Sequence, residues 1–134
     1  MPKTAAEMVA EAKGRIENLD AETVERELGG GDAVLVDIRE AEELAASGRI
    51  PGSVHVPRGM LEFRADSASP YHQEPFEPSR RIILHCASGG RSALAAAALQ
   101  DMGFSRVAHL EGGFTGWSTA GKPVEPTGAE HPGT

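Results

Sequence analysis

Residues 85–92, His-Cys-Ala-Ser-Gly-Gly-Arg-Ser, hold the one cysteine of a 134-residue chain. Their types and spacing suit a loop wrapped around an anion. Gly89 and Gly90 permit the unusual backbone angles and close approach that a cradle needs. Successive amide N–H groups in such a turn can point inward as an anion nest. The start of a following helix adds unpaired N–H groups and the positive end of its dipole. Arg91 brings a permanent charge and a planar set of donors. Together these stabilise a thiolate at Cys86 and make it a candidate nucleophile at neutral pH. Ala87, Ser88, Gly89, Gly90 and Arg91 are the candidate substrate-binding residues. The alternative is a buried structural thiol followed by an ordinary glycine-rich turn.

Other chemistry-bearing residues have a structural reading beside the functional one. Asp37 and Arg39 stand at a strand end, where a salt bridge bracing neighbouring loops is expected, with Glu111 as a partner for Arg39. His85 precedes the nucleophile, but adjacent side chains of an extended segment point to opposite faces. It is therefore read as packing or as a backbone contact rather than as a general base. His55 and His109 are read as strand residues with local hydrogen bonds, and Trp117 as core. Arg58 follows Pro57 at another strand end, either at the pocket rim or as a solvated charge. Ser88 either donates its hydroxyl to the anion or serves the turn.

The elements that must position these residues alternate strand and helix. Thr4 to Glu7 has capping-box spacing ahead of a helix to about Arg15. Strands are expected at 16–19, 33–37, 53–56, 80–84 and 106–110, with helices over 21–28, 39–46, 89–102 (stopping at Gly103) and 112–120. Leu94, Ala98, Leu99 and Met102 are expected to form the sheet-facing side of the alanine-rich helix. Residues 65–79, with three prolines, read as a long surface connection that can contribute to the pocket rim. The pattern indicates an α/β fold with a mostly parallel sheet flanked by helices, in which ligands sit beyond the carboxyl ends of the strands. Cys86 follows a strand directly. The expected organisation is an N-terminal helical extension over 1–15, one domain over 16–123 and a flexible tail over 124–134.

Composition narrows the function. A net charge of -7 argues against a nucleic-acid partner. It also means that an anion site must be built locally, against the field of the whole molecule. No Cys/His spacing suggests a metal, and no cofactor is expected. No segment is long and apolar enough for a membrane span, and no secretory leader is evident, so a cytoplasmic protein is expected.

Four segments, taken in order, resemble the rhodanese homology domain of the sulfurtransferases. These are Val36–Glu40 (Val-Asp-Ile-Arg-Glu), Gly48–Pro57 (Gly-Arg-Ile-Pro-Gly-Ser-Val-His-Val-Pro), Cys86–Ser92, and the Gly-Gly-x-x-x-Trp run ending at Trp117. Arg49 and His55 depart from residues common in the family, at positions that look structural. The resemblance implies a rhodanese-like fold and a persulfide mechanism. Cys86 would take sulfane sulfur from a small anionic donor such as thiosulfate. It would pass that sulfur to cyanide, a thiol or a protein acceptor, thioredoxin among the candidates. Two other readings stand beside it. One is a cysteine phosphatase, whose loop has five residues between Cys and Arg where this chain has four. The other is a non-catalytic or regulatory module that binds a protein.

Overall fold

The computed structural model describes residues 1–127. Its frame is a five-stranded, all-parallel sheet in the order β1-β5-β4-β2-β3. The strands are β1 (Glu17–Leu19), β2 (Val34–Asp37), β3 (Val54–His55), β4 (Ile82–His85) and β5 (Val107–Leu110). The three inner strands are almost wholly buried because helices cover both faces of the sheet. The edge strands β1 and β3 are only three and two residues long, which limits the exposed hydrogen-bonding edge.

Among the described residues six α-helices surround the sheet: α1 (Ala5–Arg15), α2 (Ala21–Gly29), α3 (Ala41–Ser47), α4 (Leu61–Ala65), α5 (Gly90–Asp101) and α6 (Gly113–Thr119). On one face α1, α4 and α5 close over Val36, Ile82, Leu84 and Val107. On the other, α2 and α6 close over Leu35, Ile83 and Leu110. Local chemistry sets the helix starts. Thr4 caps α1 in a full capping box with Glu7, and Asp20 accepts from the Thr23 amide to cap α2. Trp117 is core, as expected, and its indole N–H donates to the Pro123 carbonyl at 2.7 Å.

Three expectations are corrected. First, α5 has no single sheet-facing side. Ala93, Ala95, Ala96, Ala97 and Leu99 are buried, whereas Leu94 and Ala98 are half-buried and Met102 is exposed. The helix is enclosed on several sides because α1 packs along it as well as the sheet and α4. Its small alanines permit that close approach. Second, the 65–79 connection is not purely superficial. Phe76 inserts into the core, edge-on to Phe104 with ring centroids 6.4 Å apart. Glu74 and Pro75 line a hollow of about 580 Å³ near the start of β2, at the opposite end of the sheet from Cys86. That hollow is larger than the cleft of about 370 Å³ lined by Ala87. Third, the expected tail is anchored where it begins. Glu125 and Arg49 exchange backbone hydrogen bonds at 2.8 and 2.9 Å, and the Thr127 hydroxyl bonds the Leu44 carbonyl. The rest of that segment, residues 128–134, lies outside the described residues.

Candidate active site

Cys86 leaves the carboxyl end of β4, the middle strand of the sheet, and only 1 % of it is exposed. The chain then turns through Ala87–Gly89 into α5. Gly89 takes φ +114°, a conformation that side chains disfavour. This turn aims the Gly89 amide at Sγ at 3.2 Å and brings the Ser92 amide to 3.4 Å. The Ser92 hydroxyl lies 3.5 Å from the same sulfur. Burial pushes the Cys86 thiol up. The Ser92 hydroxyl and amide, with the amides of Gly89 and Ser88, outweigh burial and hold the thiol below its ordinary value. The Ser88 side chain is exposed.

A second glycine pair closes the loop from behind. Phe114 and Thr115, in the first turn of α6, donate their amides to the carbonyls of Cys86 and Ala87 at 2.8 and 3.0 Å. Such proximity requires Gly113. A Cβ there would stand 2.6 Å from both carbonyl oxygens. The Gly-Gly-x-x-x-Trp run therefore lays a helix start against the backbone of Cys86 and Ala87 and anchors the far turn through Trp117.

Arg91 does not point a free fork at the sulfur. Its two terminal nitrogens reach the two Glu43 oxygens on α3 at 2.7 and 2.9 Å. This bidentate pair holds Glu43 down at about 2 against the opposing effect of burial, and it raises Arg91 further. Glu43 and Ala87 share a cleft of about 370 Å³ with Arg39, Phe114, Thr115 and Ser118.

Asp37 and Arg39 form a buried ion pair at 2.8 Å at the end of β2. Arg39 does not pair with Glu111. It donates to the Ser47 hydroxyl and the Gly48 carbonyl, and its guanidinium lies 4.1 Å from the Phe114 ring centre. It thus joins the β2 end, α3 and α6. Glu111 directly follows β5, on the far side of β4 from β2, and pairs instead with Lys13 and His109. Burial raises the Asp37 carboxyl, but the Arg39 guanidinium beside it and His85 outweigh burial and keep it below the usual carboxylate range.

His85 faces away from Sγ. Its ring stacks on Phe114 at 6.4 Å, and Nε2 stands 3.5 Å from the Asp37 carboxylate. His55 Nε2 bonds the Arg39 carbonyl at 2.8 Å, and Arg49 donates to the Ser53 carbonyl, so both departures from the family pattern are structural contacts. Arg58 pairs with Glu62 and lines a groove against α1 and α5, apart from the cleft at Ala87. No residue of 65–79 lines that cleft either.

The sequence candidates omitted Ser92, which meets Sγ, and Glu43, which holds Arg91. Ser92 was visible at the end of the loop, whereas Glu43 reaches it only through the tertiary fold. Among the described residues no group of three or more His, Cys, Asp or Glu side chains is arranged to hold a metal ion. No helix among them is long and apolar enough to cross a membrane.

Comparison with known proteins matches this geometry to one family. A model of the rhodanese-like domain matches residues 20–120. A protein from Allochromatium vinosum named as a sulfurtransferase is 31% identical over 110 residues, covering 81% of this chain and 94% of its own. A solved structure from Rhodopseudomonas palustris is 44% identical, with a TM-score of 0.85 over 93% of this chain and 99% of its own. It is described as a protein of unknown function and possible tyrosine phosphatase. The structure of a thiosulfate sulfurtransferase from Pseudomonas aeruginosa superposes with a TM-score of 0.74 at 31% identity. It covers 92% of this chain, which spans 23% of that larger protein.

Proposed function

The chain belongs to the rhodanese-like domain family, and from that premise we propose that it transfers sulfane sulfur through a persulfide on Cys86. Relatives named as sulfurtransferases support sulfur transfer in general. The observation that carries the specific reading is the position of Sγ. It is buried, held below its ordinary pKa, and met by the Gly89 and Ser92 amides at 3.2 and 3.4 Å. A ring of six residues from Cys86 to Arg91 suits one sulfur atom on Sγ better than a tetrahedral phosphate. This argues against phosphatase chemistry.

In the first half-reaction the Cys86 thiolate bonds to the outer sulfur of a donor such as thiosulfate. The donor's S–S bond breaks, and sulfite leaves with its electron pair. The sulfur remains as Cys86–S–S⁻ within the amides of residues 87–91. Arg91 braces the loop against α3 through Glu43, and any hold on the anionic donor is shared with that carboxylate. This chain has one cysteine, so the persulfide has no second thiol with which to form an internal disulfide. The sulfur therefore passes to an outside acceptor such as cyanide, a low-molecular-weight thiol or thioredoxin, in a cytoplasmic setting.

Mass spectrometry after thiosulfate treatment tests the reading. One added sulfur is expected on Cys86 of the wild type and none on Cys86→Ser. A wild type whose thiol alkylates readily yet gains no sulfur from any donor overturns it. That result, with partner binding intact in Cys86→Ser, would instead favour a non-catalytic binding module.

A further inference from the structure

The Ser92 hydroxyl that touches Sγ is also 2.9 Å from Nδ1 of His109 on β5. Parallel register explains the meeting. Leu84 pairs with His109, and Cys86 lies two residues beyond Leu84 on the same side of β4. The tautomer of His109 follows from its other nitrogen. Nε2 is 2.8 Å from Asn18 Oδ1 and 3.1 Å from Glu111 Oε1. Asn18 cannot be reversed, because its Nδ2 donates to the carbonyls of Lys13 and Ile16. Two acceptors therefore face Nε2, which must carry the hydrogen, and Nδ1 holds a lone pair. The Ser92 hydroxyl, with one proton to give, donates to Nδ1 at 2.9 Å in preference to the Gly89 carbonyl at 3.3 Å. Its oxygen is then free to accept from the Cys86 thiol.

We propose that Ser92 and His109 hold the proton of Cys86. As the thiol ionises, its proton moves to Ser92 Oγ while the Ser92 proton moves to His109 Nδ1. The products are a thiolate, a neutral serine and an imidazolium whose Nε2–H faces Glu111. Ser92 touches the reacting sulfur, whereas His109 is a positioning residue that acts through it. The elements around the ring supply neighbours that suit this role, Asn18 from β1, Ser92 from α5 and Glu111 just after β5, and one whose charge opposes the imidazolium, Lys13 from α1. Burial pushes the imidazole below its ordinary value and Lys13 adds to this, while Glu111 opposes both. Nδ1 is therefore unprotonated and ready to accept at neutral pH. Glu111 is itself held ionised, chiefly by Lys13, and can stabilise the imidazolium once it forms.

The return step rests on the sulfur-transfer reading. An acceptor thiol R–SH reacts with Cys86–S–S⁻ to give R–S–SH and the Cys86 thiolate, and Sγ keeps the electron pair of the broken S–S bond. The His109 proton then crosses Ser92 to restore the thiol.

The test is the pH dependence of Cys86 alkylation by iodoacetamide, which reads thiolate directly and needs no sulfur transfer. His109→Gln should raise the midpoint by about one pH unit, or roughly tenfold less thiolate below it. Glu111→Gln, at an exposed position, should raise it by less. In a Ser92→Ala background the His109→Gln shift should vanish, because the connection is already cut. An unchanged midpoint in folded His109→Gln overturns the proposal, as does a full shift that persists without Ser92. If His109→Gln does not fold, Glu111→Gln decides, and an unmoved midpoint there overturns it. Failure of wild-type persulfide formation with these shifts intact sinks the sulfurtransferase reading alone.

Discussion

Glu43 is the side chain whose charge is most tightly committed near the Cys86 loop. Both of its oxygens bind Arg91, and its carboxyl is held at about 2 instead of 4.5. A carboxylate depressed on folding contributes stability that is fully present above its unfolded value and is lost as pH falls through its folded one. The relevant window runs from about 4.5 down to about 2. Urea unfolding of the wild type across that window should show a falling midpoint, and Glu43→Gln should show a shallower fall. The difference is modest because about a third of the Glu43 side chain is exposed and water screens the pair. Identical slopes would remove the Arg91 pair from the acid stability of the protein. At this scale the sequence revealed what is local. Cys86, the glycines and Ser92 lie within seven residues, and strand-loop-helix geometry is enough to place them together. Glu43 and His109 lie 48 residues from Arg91 and 17 from Ser92 respectively. Only the β4–β5 register and the seat of α3 bring them in, and no local spacing records either.

Two glycines join the elements around the loop, and they should fail differently when replaced. At Gly89 an added Cβ meets only ordinary contacts, the nearest at 3.6 Å, so the penalty is the φ of +114°. Gly89→Ala should cost about 1–2 kcal/mol. At Gly113 the positive φ is joined by a 2.6 Å collision with two backbone carbonyls, which cannot move without breaking their bonds to Phe114 and Thr115. Gly113→Ala should cost roughly 2–5 kcal/mol. Thermal and urea unfolding followed by the buried Trp117 will rank the two, and equal losses would mean that α6 is not clamped to the Cys86 loop as described. Strand and helix identities were legible because β2 and β4 read as short apolar runs ahead of Asp37 and His85 and because Thr4, Asp20 and Gly103 mark helix ends. The packing face of α5 was not legible. An alanine-rich helix carries little amphipathic signal, and its second covering layer, α1, is 85 residues earlier in the chain. The seat of Phe76 was equally hidden, because Phe76 and the exposed Tyr71 in a proline-rich segment have no periodicity that tells which is core.

On the proposed sulfur-transfer reading, the molecule as a whole sets how charged donors approach Cys86. The chain carries a net charge of -7, and each cation placed near the site already faces a carboxylate. Arg91 faces Glu43, Arg39 faces Asp37 and Lys13 faces Glu111. These pairs leave little local excess of positive charge to offset the negative field at long range. Hydrogen bonding by the loop amides acts only at contact distance, after the donor has arrived. A dianion such as thiosulfate must therefore approach against the net field, and salt should help it. The screening length shrinks from about 30 Å at 0.01 M to about 8 Å at 0.15 M ionic strength, so repulsion from distant carboxylates fades while contacts inside the loop persist. Raising an inert salt across that range should increase kcat/KM for thiosulfate severalfold, in the sense opposite to electrostatically steered enzymes. Alkylation of Cys86 by neutral iodoacetamide should stay nearly constant and serves as the internal reference. A thiosulfate rate that falls with salt would mean that Arg91 or Lys13 escapes its carboxylate and governs the approach. Glu43→Gln would then make that salt dependence steeper, because it removes the charge that holds Arg91.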